Sequence, residues 1–219
     1  MDGTGSVEGS SRSLPREARR AGRMSTLMGL GREVVDGLGN ALLSFLSNWV
    51  LFVDGPLVWK VRGRLYSWIL GWGRGVGVAR FVTFENIRTI RVGEYSRIMR
   101  NAVLMGPIEI GSHCWIGEGN MLYPETTLED GVALGPVVAI VTQWHEIGPP
   151  ERRAGQLRRR SIRIGRGACI NAGAMVLAGC SIGEGAVVAG GSKVTRRVPP
   201  HCVVAGNPAV LVRRLDGGS

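Results

Sequence analysis

Aliphatic side chains recur at every sixth position through much of the sequence, and this period limits the fold more than any other feature. From residue 92 the series is Val92, Ile98, Leu104, Ile110, Ile116, Leu122, Leu128, Leu134 and Ile140, and from residue 164 it is Ile164, Ile170, Val176, Ile182, Val188 and Val194. The two series are in phase across the segment that separates Ile140 from Ile164. An amphipathic helix would repeat at three and four residues and a hairpin strand at two, so neither explains this period.

Two further columns follow the same period. The fourth residue after each aliphatic position is mostly small, and the first is often glycine, as at Gly93, Gly111, Gly117, Gly135, Gly165 and Gly183. One aliphatic, one small and one turn-forming residue in every six are typical of a parallel β-helix, in which three hexapeptides form a triangular coil of about 18 residues. We therefore predict an all-β solenoid of roughly four to five coils between Val92 and Val194, with one loop extruded from it.

The rest of the sequence divides around this solenoid. Residues 1–24 are polar, basic and rich in glycine and serine, which predicts a disordered tail. Residues 25–85 interleave Leu, Trp and Val with Arg and Gly and are predicted to form a helical cap, because a repeat domain needs a cover over its terminal core. The β-helix is predicted to occupy residues 86–205 with the extruded loop at 142–161, and residues 206–219 are assigned to a C-terminal tail.

The tryptophan-rich cap region has a rival interpretation as helices that lie on a membrane surface. Trp49, Trp59, Trp68 and Trp72 all occur near basic residues, as interfacial helices require. We favour the cap over membrane contact, because the end of the solenoid must be covered. The most apolar run, ALLSFLSNWVLFV at residues 41–53, is shorter than the about 20 residues that span a bilayer.

Charge and cysteine usage restrict the partners and the compartment. The formal net charge is +10, from 27 Lys and Arg against 17 Asp and Glu, which would suit nucleic acid, an anionic membrane surface or a phosphate-bearing cofactor. Alternating aromatic and basic residues and helix-turn-helix patterns are absent from the sequence, so we do not expect nucleic acid binding. The four cysteines form no CxxC pair and follow no secretory signal, which predicts a reduced, cytoplasmic protein.

Two motifs carry a resemblance to a known family: QWHEIGPPERRAGQ at residues 143–156 and GSKVTRRVPPHCVVAGNPAVLVRRL at residues 191–215. Together with the hexapeptide columns they resemble the hexapeptide-repeat acyltransferases, in particular the maltose/galactoside O-acetyltransferase branch, over about residues 40–215. The resemblance implies a left-handed parallel β-helix, an exception to the right-handed crossover rule. It also implies a homotrimer that binds acyl-CoA in the groove between neighbouring subunits.

The resemblance assigns the catalytic roles to the extruded loop. His145 matches the family's general base, which takes the proton of an acceptor hydroxyl as the oxygen attacks the thioester, typically worth about 10²- to 10⁴-fold in rate. Glu151 matches the family's acidic loop residue and is the candidate to orient the imidazole, with Glu146 as the runner-up. A backbone carbonyl would orient the ring equally well.

The acceptor pocket is predicted from three more residues. In this family a polar residue from an upstream coil, usually asparagine, helps to bind the acceptor hydroxyl; Asn120 is the first candidate for this role and Asn101 the second. Trp144, directly before His145, is atypical of the family. It predicts an acceptor pocket with an aromatic or sugar-stacking wall.

The resemblance also implies where acetyl-CoA would bind. The pantetheine arm would follow an edge of small residues at Ala172, Ala189 and Gly190, where the backbone is accessible to its amides. Thr195 and Arg196 would lie near the nucleotide end, and Arg213 could contact a phosphate of CoA. Arginine suits this role because its guanidinium forms forked, charge-assisted hydrogen bonds to phosphate.

We therefore predict an acetyl-CoA-dependent O-acetyltransferase that acts on a hydroxyl of a sugar, glycoside or natural-product intermediate. A non-catalytic β-helix scaffold that binds a partner is the alternative from another class. A second alternative is a zinc enzyme resembling the carbonic anhydrases of this fold, which would use His113, His145 and His201. We expect no metal, because the family's close histidine pair is missing, and we expect His113 and His201 to be turn residues.

Overall fold

The structure is a computed structural model, and it describes residues 55–215. The described chain begins with one α-helix, α1 (Pro56–Leu70), and continues as a left-handed parallel β-helix of about seven turns. The predicted tail at residues 1–24, the first part of the predicted cap, the apolar run at 41–53 and the last four residues lie outside the described residues. Within residues 55–215 no helix is long and apolar enough to cross a membrane.

Three parallel sheets form the faces of the solenoid. The first contains β1 (Gly77–Val78), β4 (Arg97–Ile98), β7 (Trp115–Ile116), β10 (Ala133–Leu134), β15 (Cys169–Ile170), β18 (Val187–Val188) and β20 (Cys202–Gly206), with β21 (Ala209–Arg214) added antiparallel at its edge. The second contains β2 (Thr83–Glu85), β5 (Val103–Met105), β8 (Met121–Leu122), β11 (Ala139–Val141), β16 (Met175–Leu177) and β19 (Lys193–Val194). The third contains β3 (Ile90–Val92), β6 (Ile108–Ile110), β9 (Thr126–Leu128), β14 (Ile162–Ile164) and β17 (Ser181–Ile182).

The predicted core is confirmed. All fifteen positions of the six-residue series are buried, with none more than 4% exposed. The column of small residues four positions later is buried as well, including Ala102, Ala168, Ala174 and Ala186. Each coil therefore places one large and one small side chain per face in its interior, and identical columns stack along the axis. This packing explains the six-residue period in the sequence, because only the side chains in the inner columns need to be aliphatic.

The strand register gives the coil its length and locates the insertion. Trp115 pairs with Ala133, eighteen residues further on, but Ala133 pairs with Cys169, thirty-six residues further on. One coil therefore contains eighteen additional residues, and the pairing of the neighbouring coils is undisturbed. The insertion is a two-stranded antiparallel hairpin of β12 (Gln143–Ile147) and β13 (Ala154–Arg159), within the predicted loop at 142–161.

Both ends of the solenoid extend beyond the predicted boundaries. Strands β1 and β2 lie inside residues 25–85, which were assigned to the cap, so the first coil begins well before residue 86. A short 3₁₀ helix at Ile87–Thr89 adds residues to that coil and hides the six-residue period there. At the other end, the region assigned to a tail contains β21, which closes the edge of the first sheet.

Helix α1 covers the first coil. Tyr66 on its inner face packs with Trp72 and Phe84, with ring centroids 5.1 and 5.6 Å away. The Trp72 indole donates its N–H to the Ile90 carbonyl at 2.9 Å, and this bond links the segment just after the helix to the first coil. Gly63 lies directly against the Val76 carbonyl, where any Cβ would overlap the backbone. The helix can approach the coil this closely only because Gly63 has no side chain.

Candidate active site

The extruded hairpin projects from the corner between the second and third sheets. It leaves the coil after β11 and returns before β14, and the Arg160 N–H donates to the Thr142 carbonyl at 2.8 Å where the two strands meet the solenoid. Thr142 is fully buried, so the base of the hairpin is fixed in the wall of the coil. A rigid scaffold thus presents the hairpin's side chains at a defined place, as is usual for catalytic residues on loops.

Pairing between β12 and β13 decides which side chains share a face of the hairpin. His145 is opposite Leu157 and Gln143 is opposite Arg159, whereas Trp144 is opposite Arg158. Because successive residues of a strand point to opposite faces, His145 shares its face with Gln143, Leu157 and Arg159. On that face the Arg159 Nε donates to the Gln143 Oε1 at 3.3 Å, one rung from the imidazole.

Trp144 lies on the other face of the hairpin. There the Arg160 guanidinium stacks over its indole ring at 5.6 Å, and the Arg158 Nε contacts the Glu146 Oε1 at 2.8 Å. Trp144 therefore does not share a face of the hairpin with His145, and its predicted role as an aromatic wall of the acceptor pocket stays a prediction. The physical reason for this placement is the two-residue alternation of a strand, which a segment interpreted as an irregular loop would not impose.

The His145 imidazole is oriented by a backbone carbonyl. Its Nδ1 lies 2.9 Å from the carbonyl oxygen of Gly155, on the opposite strand. A carbonyl can only accept, so the hydrogen bond places the proton on Nδ1 and leaves the Nε2 lone pair directed away from the hairpin. The ring is exposed to solvent, so a substrate can reach Nε2.

Neither acidic candidate holds the ring. Glu151 lies at the tip of the hairpin, and Glu146 points to the Trp144 face, where it pairs with Arg158. The prediction that Glu151 orients His145, with Glu146 second, is corrected in favour of the Gly155 carbonyl. The sequence analysis allowed a backbone carbonyl as the group that orients the ring, but it could not say which one. The Gly155 carbonyl, ten residues from His145 in sequence, is brought to the imidazole by the pairing of the two strands.

Gly155 is required by the geometry of the hairpin. The register shifts between His145 and Ile147, and a Cβ added at Gly155 would lie 2.8 Å from the Glu146 carbonyl oxygen and 3.1 Å from the Gly148 nitrogen. Both neighbours are backbone atoms, so they cannot turn aside. A side chain at this position would push the strands apart and move the carbonyl that orients His145.

The two asparagine candidates occupy different environments. Asn120 is fully buried in the small-residue column, and its Oδ1 accepts the Val138 N–H at 2.7 Å. Its Nδ2 is buried without a hydrogen-bond partner among the described residues, and the prediction that Asn120 binds the acceptor stays a prediction. Asn101 is exposed at a corner between the first and second sheets, with φ of 60°.

The predicted CoA residues lie at two different corners and on the terminal strand. Ala172 and Gly190 are exposed and stacked one coil apart at the corner between the first and second sheets. A Cβ at Gly190 would be 3.2 Å from the Ala172 carbonyl oxygen, so the two coils approach closely at this corner. The Ala189 N–H donates to the Val204 carbonyl at 2.9 Å and is not available to a pantetheine amide, which corrects the role predicted for it.

The remaining CoA candidates lie elsewhere on the surface. Thr195 and Arg196 are exposed just after β19, at the same corner from which the hairpin leaves after β11, two strands away in the second sheet. Arg213 is exposed on β21, opposite Val203. One chain therefore does not bring all six residues into a single groove.

The other histidines are turn residues, as predicted. His113 and His201 both adopt a left-handed backbone conformation at corners between the third and first sheets, and His113 stacks on Tyr95 with ring centroids 5.3 Å apart. Within residues 55–215, no group of three or more His, Cys, Asp or Glu side chains is placed to hold a metal ion. Burial raises the pKa of the Cys114 and Cys180 thiols, which disfavours their nucleophilic thiolate forms.

Several known proteins are similar to this chain in sequence. The bacterial transferase hexapeptide family, with six repeats, matches residues 161–196. Nodulation protein L of Rhizobium meliloti is 42% identical over 104 residues, covering 47% of this chain and 57% of that protein. Serine acetyltransferase 2 of Arabidopsis thaliana is 40% identical over 114 residues, covering 50% of this chain and 33% of that protein. The chain thus spans less than two thirds of the length of these relatives.

Solved structures share the solenoid. The hexapeptide-repeat containing acetyltransferase of Vibrio cholerae superposes with a TM-score of 0.57 at 26% identity, covering 81% of this chain and 89% of that chain. AntD, an N-acyltransferase from Bacillus cereus, superposes with a TM-score of 0.64 at 19% identity, covering 71% and 89%, and shows a common fold. The maltose/galactoside branch stays a prediction. The coils, the match at residues 161–196 and the acetyltransferase relatives together show that the chain is similar to hexapeptide-repeat acyltransferases.

Proposed function

We propose that the protein transfers an acetyl group from acetyl-CoA to a hydroxyl of a sugar, glycoside or natural-product intermediate, with His145 as the general base. The hydrogen bond between His145 Nδ1 and the Gly155 carbonyl carries this proposal. It fixes the tautomer that a base needs, on a hairpin that the solenoid holds rigidly. The acetyltransferase relatives support the reaction class, and AntD was crystallised with coenzyme A.

The chain's own residues would carry the proton. Nε2 of His145 accepts the acceptor's hydroxyl proton as the new C–O bond forms at the thioester carbonyl, and the ring becomes an imidazolium. The Gly155 carbonyl stabilises that cation through Nδ1–H. When the C–S bond breaks, the imidazolium returns the proton to the departing sulfur, so the products are the acetyl ester and the free thiol of CoA. No covalent acyl-enzyme is needed, and the free cysteines take no part.

The residues fit CoA at the level of their chemistry. Ala172 and Gly190 form an exposed edge of small residues that a pantetheine arm could follow, and Arg196 and Arg213 are exposed for phosphate contacts. Since these residues occupy different faces of one chain, the proposed site forms between subunits of a homotrimer. The 87% exposure of Ile147, on the His145 face of the hairpin, supports contact with a neighbouring subunit.

An acceptor screen tests this function. The full chain is incubated with acetyl-CoA and a panel of hydroxyl and amine acceptors, and products that gain an acetyl group are identified by mass spectrometry. We expect ester products, a release of CoA that requires the acceptor, and a trimer by sedimentation. Amide products alone would replace O-transfer by N-transfer. A panel that yields no product beyond acceptor-free thioester hydrolysis would favour the non-catalytic scaffold.

Substituting Gly155 is expected to impair the reaction without unfolding the protein. In Gly155→Ala the new Cβ meets the Glu146 and Gly148 backbone and displaces the carbonyl that orients His145. We expect kcat to fall by on the order of 10- to 100-fold, because small displacements of a catalytic group are costly. Steady-state kinetics measure the loss, and the ¹⁵N shifts of the His145 ring report the tautomer.

Ala154→Ser is the matched control, because Ala154 is exposed on the same strand and its side chain does not lie between the strands. It should leave both kcat and the tautomer unchanged. If Gly155→Ala kept the wild-type tautomer and full kcat, the carbonyl would have no role in orienting the base.

A further inference from the structure

The two faces of helix α1 differ in burial. Arg62, Gly63 and Tyr66 are buried against the first coil. On the opposite side, Leu57, Val61 and Trp68 are 74%, 47% and 84% exposed, although such side chains normally pack inside a protein. With Arg64 they are spaced three to four residues apart, so they form one continuous stripe along the helix. We refer to Leu57, Val61, Arg64 and Trp68 as the outer stripe.

A cationic cavity adjoins the outer stripe. It has a volume of about 700 Å³ and lies between α1 and the first two coils, and it is lined by Lys60, Arg64, Ser67, Trp68, Arg74, Gly75, Tyr95 and Arg97. Four of these residues are cations, and no carboxylate is among the described residues that line it. Glu94 neutralises part of the charge through a 3.0 Å contact with Arg74. Lys60, Arg64 and Arg97 leave a net positive charge.

The two features together point to a membrane surface as their partner. We propose that the outer stripe and the adjoining cavity dock the protein on an anionic lipid bilayer, with Leu57, Val61 and Trp68 in the headgroup region and Lys60 and Arg64 against lipid phosphates. Interfacial helices combine an apolar face that includes tryptophan with basic residues in this way. A soluble anion would bind the cations but would give no reason for the exposed apolar side chains.

The sequence just before the helix agrees with this assignment. The apolar run at residues 41–53 is followed by Asp54 and then Gly55, directly before α1. The most apolar segment of the sequence therefore directly precedes the helix that carries the outer stripe. The hairpin with His145 belongs to later coils, so docking does not require the acyltransfer site.

Vesicle binding by the full chain tests the proposal. Flotation is measured with vesicles of phosphatidylcholine alone and of phosphatidylcholine mixed with phosphatidylglycerol. We expect binding only to the anionic vesicles, and weaker binding as salt is raised. Lys60→Gln combined with Arg64→Gln should lower the partition coefficient roughly twentyfold, since each basic residue near such a surface contributes about fivefold. Leu57→Ser combined with Trp68→Ser should also abolish most of the binding.

Matched controls separate docking from general charge attraction. Arg152→Gln combined with Arg153→Gln removes the same charge from the exposed tip of the hairpin, and Val212→Ser removes an exposed apolar side chain from β21. Both should bind vesicles like the wild type. Brominated lipids should quench wild-type fluorescence more than that of Trp68→Phe, whereas Trp144→Phe should behave like the wild type.

Three outcomes would overturn the proposal. The first is no binding to anionic vesicles. The second is an equal loss of binding in the Arg152/Arg153 control. The third is quantitative competition by inorganic phosphate at matched ionic strength, with no effect of Leu57→Ser and Trp68→Ser, which would assign the cavity to a soluble anion. Acetyl transfer to a soluble acceptor is expected to be unchanged in the Leu57/Trp68 variant, so docking and the proposed activity can fail separately.

Discussion

Replacing His145 by alanine is expected to lower kcat roughly 10²- to 10⁴-fold, while KM for acetyl-CoA changes little. The variant loses the group that the Gly155 carbonyl positions to accept the hydroxyl proton. The expected loss is the rate factor that a general base typically contributes. The alcohol must then lose its proton to water. Binding and positioning of the two substrates remain, so a residual rate above the uncatalysed reaction is expected. Steady-state kinetics with the acceptor found in the screen measure the change.

His113→Ala is the control for this variant. His113 is an exposed histidine on the same solenoid, stacked on Tyr95 at a different corner, and its replacement should leave kcat within twofold or so. Since His145 is exposed on the hairpin, His145→Ala should keep the wild-type thermal midpoint. Unchanged turnover in His145→Ala would show that the hairpin has no part in the chemistry, and the scaffold interpretation would then be preferred.

Replacing Leu134 by alanine is expected to lower the free energy of unfolding by about 2–5 kcal/mol. Leu134 is completely buried, and it pairs with Ile116 in the coil before it and Ile170 in the coil after it. The cavity left by the missing side chain would lie at the coil that contains the hairpin insertion. The surrounding columns cannot collapse into it, because their spacing is fixed by the ladders of all three sheets. Urea unfolding followed by circular dichroism measures the loss.

Val212→Ala is the control for the core variant, because Val212 is 60% exposed on β21 and its truncation should cost less than about 0.5 kcal/mol. In a solenoid each coil is stabilised chiefly by its neighbours. Leu134→Ala should therefore also reduce the cooperativity of unfolding, seen as a smaller dependence on urea. A free energy of unfolding equal to that of the wild type would mean that the inner aliphatic column does not hold the coils together.

The core could be predicted almost completely from the sequence. Ile98, Ile116 and Leu134 are equivalent because each occupies the same position in successive coils, so their burial depends only on distance along the chain. The period also located the insertion, since the two aliphatic series stay in phase on both sides of it. The six-residue period did not identify the first coil, because the 3₁₀ helix at Ile87–Thr89 adds residues there and interrupts the regular spacing.

The candidate site could be predicted only in part. The motif indicated His145 and the extruded loop, but not the strand pairing within the loop or the Gly155 carbonyl that orients the ring. Trp144 and His145 are neighbours in sequence and lie on opposite faces, since their segment forms a strand. Asn120 fits the small-residue column, where its Oδ1 accepts the Val138 N–H while its Nδ2 has no partner among the described residues.

The six-residue period is enough to specify the solenoid, its core columns and the place where the chain leaves it, because a coil repeats the same environment at a fixed spacing. What orients His145 and which side chains share its face are known only from the folded hairpin. Those relations depend on how β12 pairs with β13, including the register shift beside Gly155. The motif at residues 143–156 contains both His145 and Gly155, but it does not give the register in which the two strands pair.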